Sequence, residues 1–287
     1  MKLEGKVAVV TGGAKGIGQG IVRCLAEEGA DIAILDIDGL EAMKTSDEVR
    51  EMGRRSLPVV AELTVSGEVE KAVNAVIEYF GKIDILVNNV GGTKPVPDRT
   101  DPGRITNRSD DEWQDSYELN LKPAIIMSRT VVPYMIEMRK GKIINISSIS
   151  GRLPDFGNMP YSVFKSGVIS FTWSLSRELA PENINVNCIC PGWVYTPLWE
   201  RGATAMYDRI KQIKESGEEL PERFAGVDLE GLTPETFWRE KFVQPTAPLG
   251  REQTAEDMGR AVVFFASDDA RNITGQILHI DGGFVVR

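Results

Sequence analysis

Short apolar runs rich in Val and Ile recur along the chain, at residues 7–10, 31–35, 84–87, 142–146, 184–189 and 276–280, with a weaker one at 56–61. Runs that stay apolar on successive residues, instead of alternating, suit strands covered on both faces, as in a parallel sheet. Between them the apolar spacing changes to the period of a helix, over 17–28, 69–80, 111–138 and 162–179. Seven strands alternating with helices predict an α/β fold, a doubly wound, seven-stranded parallel sheet with helices on both faces and right-handed crossovers. Two stretches break the rhythm. Residues 94–111 are polar, carry Pro95, Pro97, Pro102 and Gly103, and read as a surface loop. Residues 195–250 are too long for a simple connection. A helical piece at 204–215 is followed by Pro221, Pro234, Pro245 and Pro248, and the segment reads as an enlarged substrate lid. No repeat, low-complexity tract or linker divides the chain, so one domain is expected over 1–287.

Charge and rare residues narrow the chemistry. The 33 basic and 42 acidic residues leave a formal charge of −9, which makes nucleic acid and anionic membrane poor partners. No apolar run approaches bilayer length, and the first is too short for a signal peptide, so a cytoplasmic protein is expected. Cys24, Cys188 and Cys190 cannot form a disulfide framework and suit a reducing compartment. Cys188 and Cys190 lie two apart on one strand face and read as core. A single histidine, His279, leaves no His-based metal site, and no metal is expected.

Thr11-Gly12-Gly13-Ala14-Lys15-Gly16-Ile17-Gly18 closes the first apolar run and opens the first helix. In that context Gly12 allows a tight turn, Gly16 lets the backbone approach a pyrophosphate, and Gly18 permits close helix packing. The free N–H groups of the helix N-terminus face the anion. Asp36 ends the second strand, about twenty residues further on, where a carboxylate accepts from ribose hydroxyls and repels a 2′-phosphate. Lys15 pulls the other way. A carboxylate directly on the ribose outweighs a mobile, solvated lysine, so NAD is expected over NADP.

Tyr161 and Lys165 lie four apart at the start of a helix, on one face. A phenol is a poor base at neutral pH, and a neighbouring ammonium favours its phenolate form. Ser147-Ser148 ends the fifth strand, Asn88-Asn89-Val90-Gly91 the fourth, and Pro191-Gly192-Trp193-Val194-Tyr195-Thr196 the sixth, all at the sheet edge that opens into a cofactor crevice. Asn120 follows on a helix.

With these motifs the chain resembles the short-chain dehydrogenase/reductase family, in its single-domain, Rossmann-like branch, and the likeness runs from Thr11 to Asp281-Gly282-Gly283. The glycine pattern is TGxxxGxG; the TGxxGxxG of the extended branch fails at Lys15. The resemblance implies that Tyr161 exchanges a proton with the substrate oxygen, and that Lys165 lowers the tyrosine pKa and binds the nicotinamide ribose. It implies that Ser148 hydrogen-bonds the substrate oxygen and that Asn120 supports a water relayed towards Lys165. It places Asn89, Gly91, Ile189, Pro191, Gly192, Val194 and Thr196 along the cofactor. Glu62 and Leu63 stand where the family commonly has aspartate and valine beside adenine, and Val90 where it often has alanine. Lys94 and Arg152 flank the expected substrate position and could meet a carboxylate or phosphate, while Trp193, Val194 and Trp199 are the nearest pocket candidates in the lid.

The expected activity is hydride transfer between NAD and a secondary alcohol or its ketone, on a hydroxylated ring, a polyol or sugar, or a hydroxyacyl compound. A catalytically silent nucleotide-binding scaffold is the alternative, and the Asn120, Ser148, Tyr161 and Lys165 set counts against it. A non-redox dehydratase or epimerase is disfavoured by the glycine pattern. By resemblance the chain is expected to form a homo-oligomer, dimer or tetramer.

Overall fold

The computed structural model describes residues 1–93, 104–153, 158–220, 224 and 226–286. Its elements are β1 (Val7–Thr11), α1 (Gly16–Glu27), β2 (Asp31–Asp36), α2 (Gly39–Glu51), β3 (Ser56–Val60), α3 (Ser66–Phe80), β4 (Ile85–Asn88), α4 (Asp110–Asn120), α5 (Lys122–Met138), β5 (Gly141–Ile146), α6 (Met159–Leu179), β6 (Ile184–Pro191), α7 (Pro197–Ser216), α8 (Pro234–Trp238), α9 (Gln244–Thr246), α10 (Ala255–Ala266) and β7 (Ile277–Ile280). The strands form one parallel sheet in the order β3-β2-β1-β4-β5-β6-β7. This is the doubly wound α/β fold read from the apolar runs. The strand order reverses between β1 and β4, so the loops leaving them diverge and open a crevice at the C-terminal edge.

The apolar runs are buried because both faces are covered. On one face β1, β2, β4 and β5 bury Val10, Ile34, Val87 and Ile144 under α1, α2 and α10, with Ile21, Leu25, Val49, Met258 and Val262. On the other, Val9, Leu35, Leu86 and Ile143 pack on Val69, Val73 and Val76 of α3, Met127 and Val131 of α5, and Leu175 of α6. The weaker run is the edge strand β3, where Pro58 pairs in register with Ile34; a proline is tolerated at a sheet edge, where its missing N–H breaks no ladder.

The helical pattern at 111–138 proves to be two helices. Leu121 leaves helical geometry (φ −123°, ψ −46°), and Pro123 in the next turn has no N–H to donate back to Leu119. The break matters because it leaves Asn120 at the end of α4, beside the crevice. Helix α7 begins at Pro197, seven residues before the stretch expected from spacing, with a proline in its first turn where no N–H is needed. Lys94 lies outside the described residues. Among the described residues no helix is long and apolar enough to cross a membrane, and no cluster of His, Cys, Asp or Glu could hold a metal ion.

Candidate active site

The first wall of the crevice is the turn after β1. Gly12 and Gly16 adopt left-handed backbone conformations (φ 61° and 56°). Gly18 lies directly against the Gly12 carbonyl and 2.7 Å, at the position a Cβ would take, from Asn89 Nδ2, so no larger residue fits there. Asn89 Nδ2 donates to the Thr11 and Gly12 carbonyls, both at 3.0 Å, and Thr11 Oγ1 accepts from the N–H groups of Asn89 (2.9 Å) and Val90 (3.2 Å). These bonds lace the ends of β1 and β4 together. They hold the glycine turn at the N-terminus of α1, where Ile17 is half-buried.

Asp36 stands at the end of β2. Its carboxylate accepts from the Ala14 N–H within the glycine turn at 3.0 Å and from the Asp38 N–H at 3.0 Å. Glu62 turns back on Thr64, accepting from its N–H (3.0 Å) and hydroxyl (2.8 Å). Leu63 is buried in the core beneath α3. The structure therefore brings Gly12, Gly16, Gly18, Asn89 and Asp36 to one rim, with Glu62 and Leu63 on the connection that follows β3.

The second wall is built from β4, α4, β5 and α6. Lys165 is 3% exposed, and its Nζ donates to the Ile146 carbonyl at 3.1 Å. Burial pulls its ammonium from 10.5 down to about 8, partly offset by the nearby Cys188 and Cys190 sulfurs. The same Nζ lies 5.8 Å from the centre of the Tyr161 ring, one turn earlier on α6. Gly91 explains how this ammonium is reached. A Cβ on Gly91 would sit 2.6 Å from Lys165 Nζ and 3.0 Å from Asn120 Oδ1. The lysine and the asparagine thus face each other across a space that any side chain at 91 would fill. Asn120 is fixed there by its amide: Oδ1 accepts from the Gly92 N–H at 2.9 Å, and Nδ2 donates to the Gly92 and Ser116 carbonyls.

Ser148 follows β5, is 9% exposed, and accepts from the Ser150 N–H at 3.1 Å. With one lone pair engaged in that turn, its own O–H remains a donor. Arg152 is exposed just beyond the turn at Ile149–Gly151.

Several residues to which the sequence assigned no role hold these groups in place. Ser147 Oγ donates to the Lys165 carbonyl at 2.7 Å and pins α6 to β5. Beneath, Asn88 Nδ2 donates to Ser128 Oγ (3.1 Å) and Asn145 Oδ1 (2.8 Å), and Asn145 Nδ2 donates to Thr172 Oγ1 (2.9 Å). This buried polar chain ties β4, β5, α5 and α6. Gln253 clamps the end of β6: its Oε1 accepts from the Trp193 N–H and its N–H donates to the Trp193 carbonyl, both at 2.8 Å. Polar residues closing otherwise apolar strands were a usable signal for Asn88 and Asn145; an isolated glutamine on a loop carries none.

The third wall is the segment after β6. Ile189 is buried in the strand and Pro191 ends it. Gly192 donates to the Ile280 carbonyl, and Val194 is buried beside Gln253. Thr196 precedes α7, and its methyl lies 3.5 Å from the Cβ position of Gly16, while Leu198 lies 3.7 Å from that of Gly92. The first turn of α7 therefore spans the crevice from the glycine turn to the end of β4. Trp193 and Trp199 meet edge-to-face at 5.1 Å and join Trp238 and Phe242, and the Trp193 indole N–H is spent on Thr246 Oγ1 at 2.7 Å. Lys15 is exposed and paired with Asp38 at 2.7 Å. Cys188 and Cys190 pack with Val168 and Ile169 under α6. Burial drives the Cys24 thiol up to about 11, where it is inert.

The donor set fits a dinucleotide: a glycine turn at a helix N-terminus, a carboxylate at the end of β2, and a buried ammonium over an empty glycine face. Comparison with known proteins agrees with this architecture. The family model described as short chain dehydrogenase matches residues 6–206, and one described as Enoyl-(Acyl carrier protein) reductase matches residues 234–285. The chain is 32% identical to a 3-oxoacyl-acyl-carrier-protein reductase, FabG, of Thermotoga maritima, across 100% of both chains. It is also 32% identical to BbsD, a hydroxy(phenyl)methylsuccinyl-CoA dehydrogenase subunit of Thauera aromatica, across 99% of this chain and 98% of that one. The crystal structure of an NAD+-bound xylitol dehydrogenase superposes with a TM-score of 0.82 at 28% identity, covering 99% of this chain and 100% of that one. A strand order with its crevice between β1 and β4, the glycine turn, and a match running through β6 into α7 make this chain a member of the short-chain dehydrogenase/reductase family of oxidoreductases, with a Rossmann-like α/β fold.

Proposed function

We propose that the chain is an NAD-dependent oxidoreductase that interconverts a secondary alcohol and its ketone. The observation that carries this reading is the buried Lys165 ammonium facing Asn120 across Gly91, one helical turn from Tyr161. A nicotinamide cofactor bound along the crevice would accept or supply the hydride. Gly12, Gly16 and the N-terminus of α1 would hold its pyrophosphate, and Asp36 its adenosine ribose. NAD+ in the xylitol dehydrogenase neighbour supports that choice.

The chain's own groups manage the proton. In alcohol oxidation Tyr161 Oη takes the hydroxyl proton of the substrate, and in ketone reduction it returns one. The Lys165 ammonium stabilises the phenolate form, and its own lowered pKa lets it pass a proton on near neutral pH. Ser148 Oγ donates to the substrate oxygen and steadies negative charge developing there. Asn120, fixed by Gly92 and Ser116, supports a water that relays the proton towards Lys165. The indole and phenyl surfaces of Trp193, Trp199 and Phe242, with the Trp193 N–H already satisfied, favour a substrate with an apolar ring or acyl body over an open polyol. The aryl-bearing and acyl-bearing substrates in the names of BbsD and FabG point the same way. The same reading takes the enzyme as one domain, cytoplasmic and self-associating as a dimer or tetramer.

The test is a panel of cyclic alcohols, hydroxyacyl thioesters, polyols and sugars, followed by the absorbance of reduced cofactor. NAD-linked turnover is expected on a ring or acyl class. Tyr161→Phe should bind NADH normally and lose roughly 10²–10⁴ in turnover, the usual size of general acid–base catalysis. Near-normal turnover in that variant would remove the assignment.

A further inference from the structure

The glycine turn contains a cation that a 2′-phosphate would seek, and the structure shows what occupies it. Lys15 Nζ contacts Asp38 Oδ2 at 2.7 Å. The other oxygen of the same carboxylate, Oδ1, accepts from the Glu41 N–H at 3.2 Å and caps α2. Asp38 is thus held by the helix, and it holds the lysine. The Asp38 N–H donates to Asp36 Oδ1 at 3.0 Å, while Asp36 Oδ2 accepts from Ala14, the residue before Lys15. Ala14 is fixed from the other side as well, since its carbonyl accepts from Thr45 Oγ1 of α2 at 3.1 Å. The ribose rim is therefore a closed circuit of four residues, Ala14, Lys15, Asp36 and Asp38, in which Asp38 pairs with the ammonium and Asp36 accepts from the backbone N–H groups of Ala14 and Asp38.

We propose that Asp38 is a specificity-determining residue: by engaging Lys15 it removes the one cation of the glycine turn from the 2′-position, so that the rim selects a 2′-hydroxyl over a 2′-phosphate. This rests on the dinucleotide reading of the crevice and adds a residue to it. Asp36 alone repels a phosphate but leaves Lys15 free to compensate. Asp38 closes that route. The ion pair is exposed, and as a stabilising contact it is worth little. Its effect is on a choice between ligands. A phosphate dianion approaching this rim meets a lysine already neutralised and a second carboxylate beside it. The raised lysine pKa and lowered Asp38 pKa, each set first by their mutual hydrogen bond, agree with a pair that is formed at neutral pH.

Asp38→Asn separates the charge from the cap, because asparagine caps a helix as well as aspartate. Equilibrium binding of NADH and NADPH to the purified protein, read by nucleotide fluorescence, needs no substrate. NADPH should tighten by roughly five- to twentyfold in Asp38→Asn, the effect of one charge-assisted phosphate contact at a solvated site, with NADH changed less than about twofold. Adding Lys15→Met to Asp38→Asn should cancel the NADPH gain. Unchanged NADPH affinity in Asp38→Asn overturns the proposal. So does a gain that persists without Lys15, which would make Asp38 a direct repellent only. Circular dichroism checks that α2 is retained, and Asp38→Glu, which keeps the charge, should keep the wild-type ratio. A wild-type protein that binds NADPH more tightly than NADH would instead refute the NAD assignment itself, and the shift between variants would still judge the role of Asp38.

Discussion

Lys165 should make the protein less stable than it could be, and that cost can be measured apart from catalysis. A fall in its pKa from 10.5 to about 8 means that keeping the ammonium inside the folded chain at pH 7 costs about 3 kcal/mol relative to the unfolded chain. Lys165→Met keeps the length and apolar stem and removes the charge. It also takes a donor from the Ile146 carbonyl, a loss of about 1 kcal/mol. The variant should therefore be more stable by about 2 kcal/mol at pH 7, or roughly 4 °C in Tm for a chain of this size, while turnover collapses. The pH dependence follows from proton counting. Between about 8 and 10.5 the unfolded lysine holds a proton that the folded one has released, so wild-type stability contributed by this group rises with pH across that window and is lowest below it. The advantage of Lys165→Met should shrink to near zero by pH 10. Urea unfolding of both proteins at pH 7 and pH 10, without cofactor and at equal protein concentration, gives the comparison. A variant that is less stable than wild type at pH 7, with a gap that does not move with pH, would refute the argument and mean that the lysine is solvated or paired in the free enzyme.

Two further perturbations separate the walls of the crevice. Gly91→Ala places a methyl 2.6 Å from Lys165 Nζ; folding should survive, while kcat drops by roughly 10–100-fold as the lysine is displaced, and unaltered steady-state kinetics would show that the space has no role. Gln253→Ala removes the acceptor for the Trp193 N–H and should cost about 1–3 kcal/mol in denaturant unfolding and raise the KM for cofactor more than it lowers kcat; an effect on stability without one on KM would confine the residue to folding.

Much of this architecture is readable from residue order because its causes are local. Strands buried on both faces must be apolar throughout, and the glycine turn needs its spacing wherever a strand feeds a helix around an anion. Tyr161 and Lys165 share a face through helical periodicity alone. What escapes is what depends on contacts distant in sequence or on a single backbone departure. The apolar period at 111–138 continues through Leu121 and masks the break, marked only by Pro123, that delivers Asn120 to the crevice. The start of α7 at Pro197 was hidden because its first turn faces the glycine turn and β4, and its apolar positions answer to them rather than to a helical stripe. Gln253 reaches β6 across 60 positions, and Lys15 meets Asp38 across 23. Composition suggests an exposed polar side chain in each case; only the fold supplies the partner.

The proline on the outer strand bears on how copies of the chain can meet. A parallel sheet of seven strands ends in two open edges, each a template on which another chain's strand could extend the ladder. At the β3 edge Pro58 offers no N–H, in the middle of a strand only five residues long, and the exposed Val60 closes it. Continuous strand addition along that side is blocked, so growth of the sheet into a fibre-like aggregate is guarded there by one residue. Any ordered assembly of this enzyme must then be made through helix faces, loops or the β7 edge.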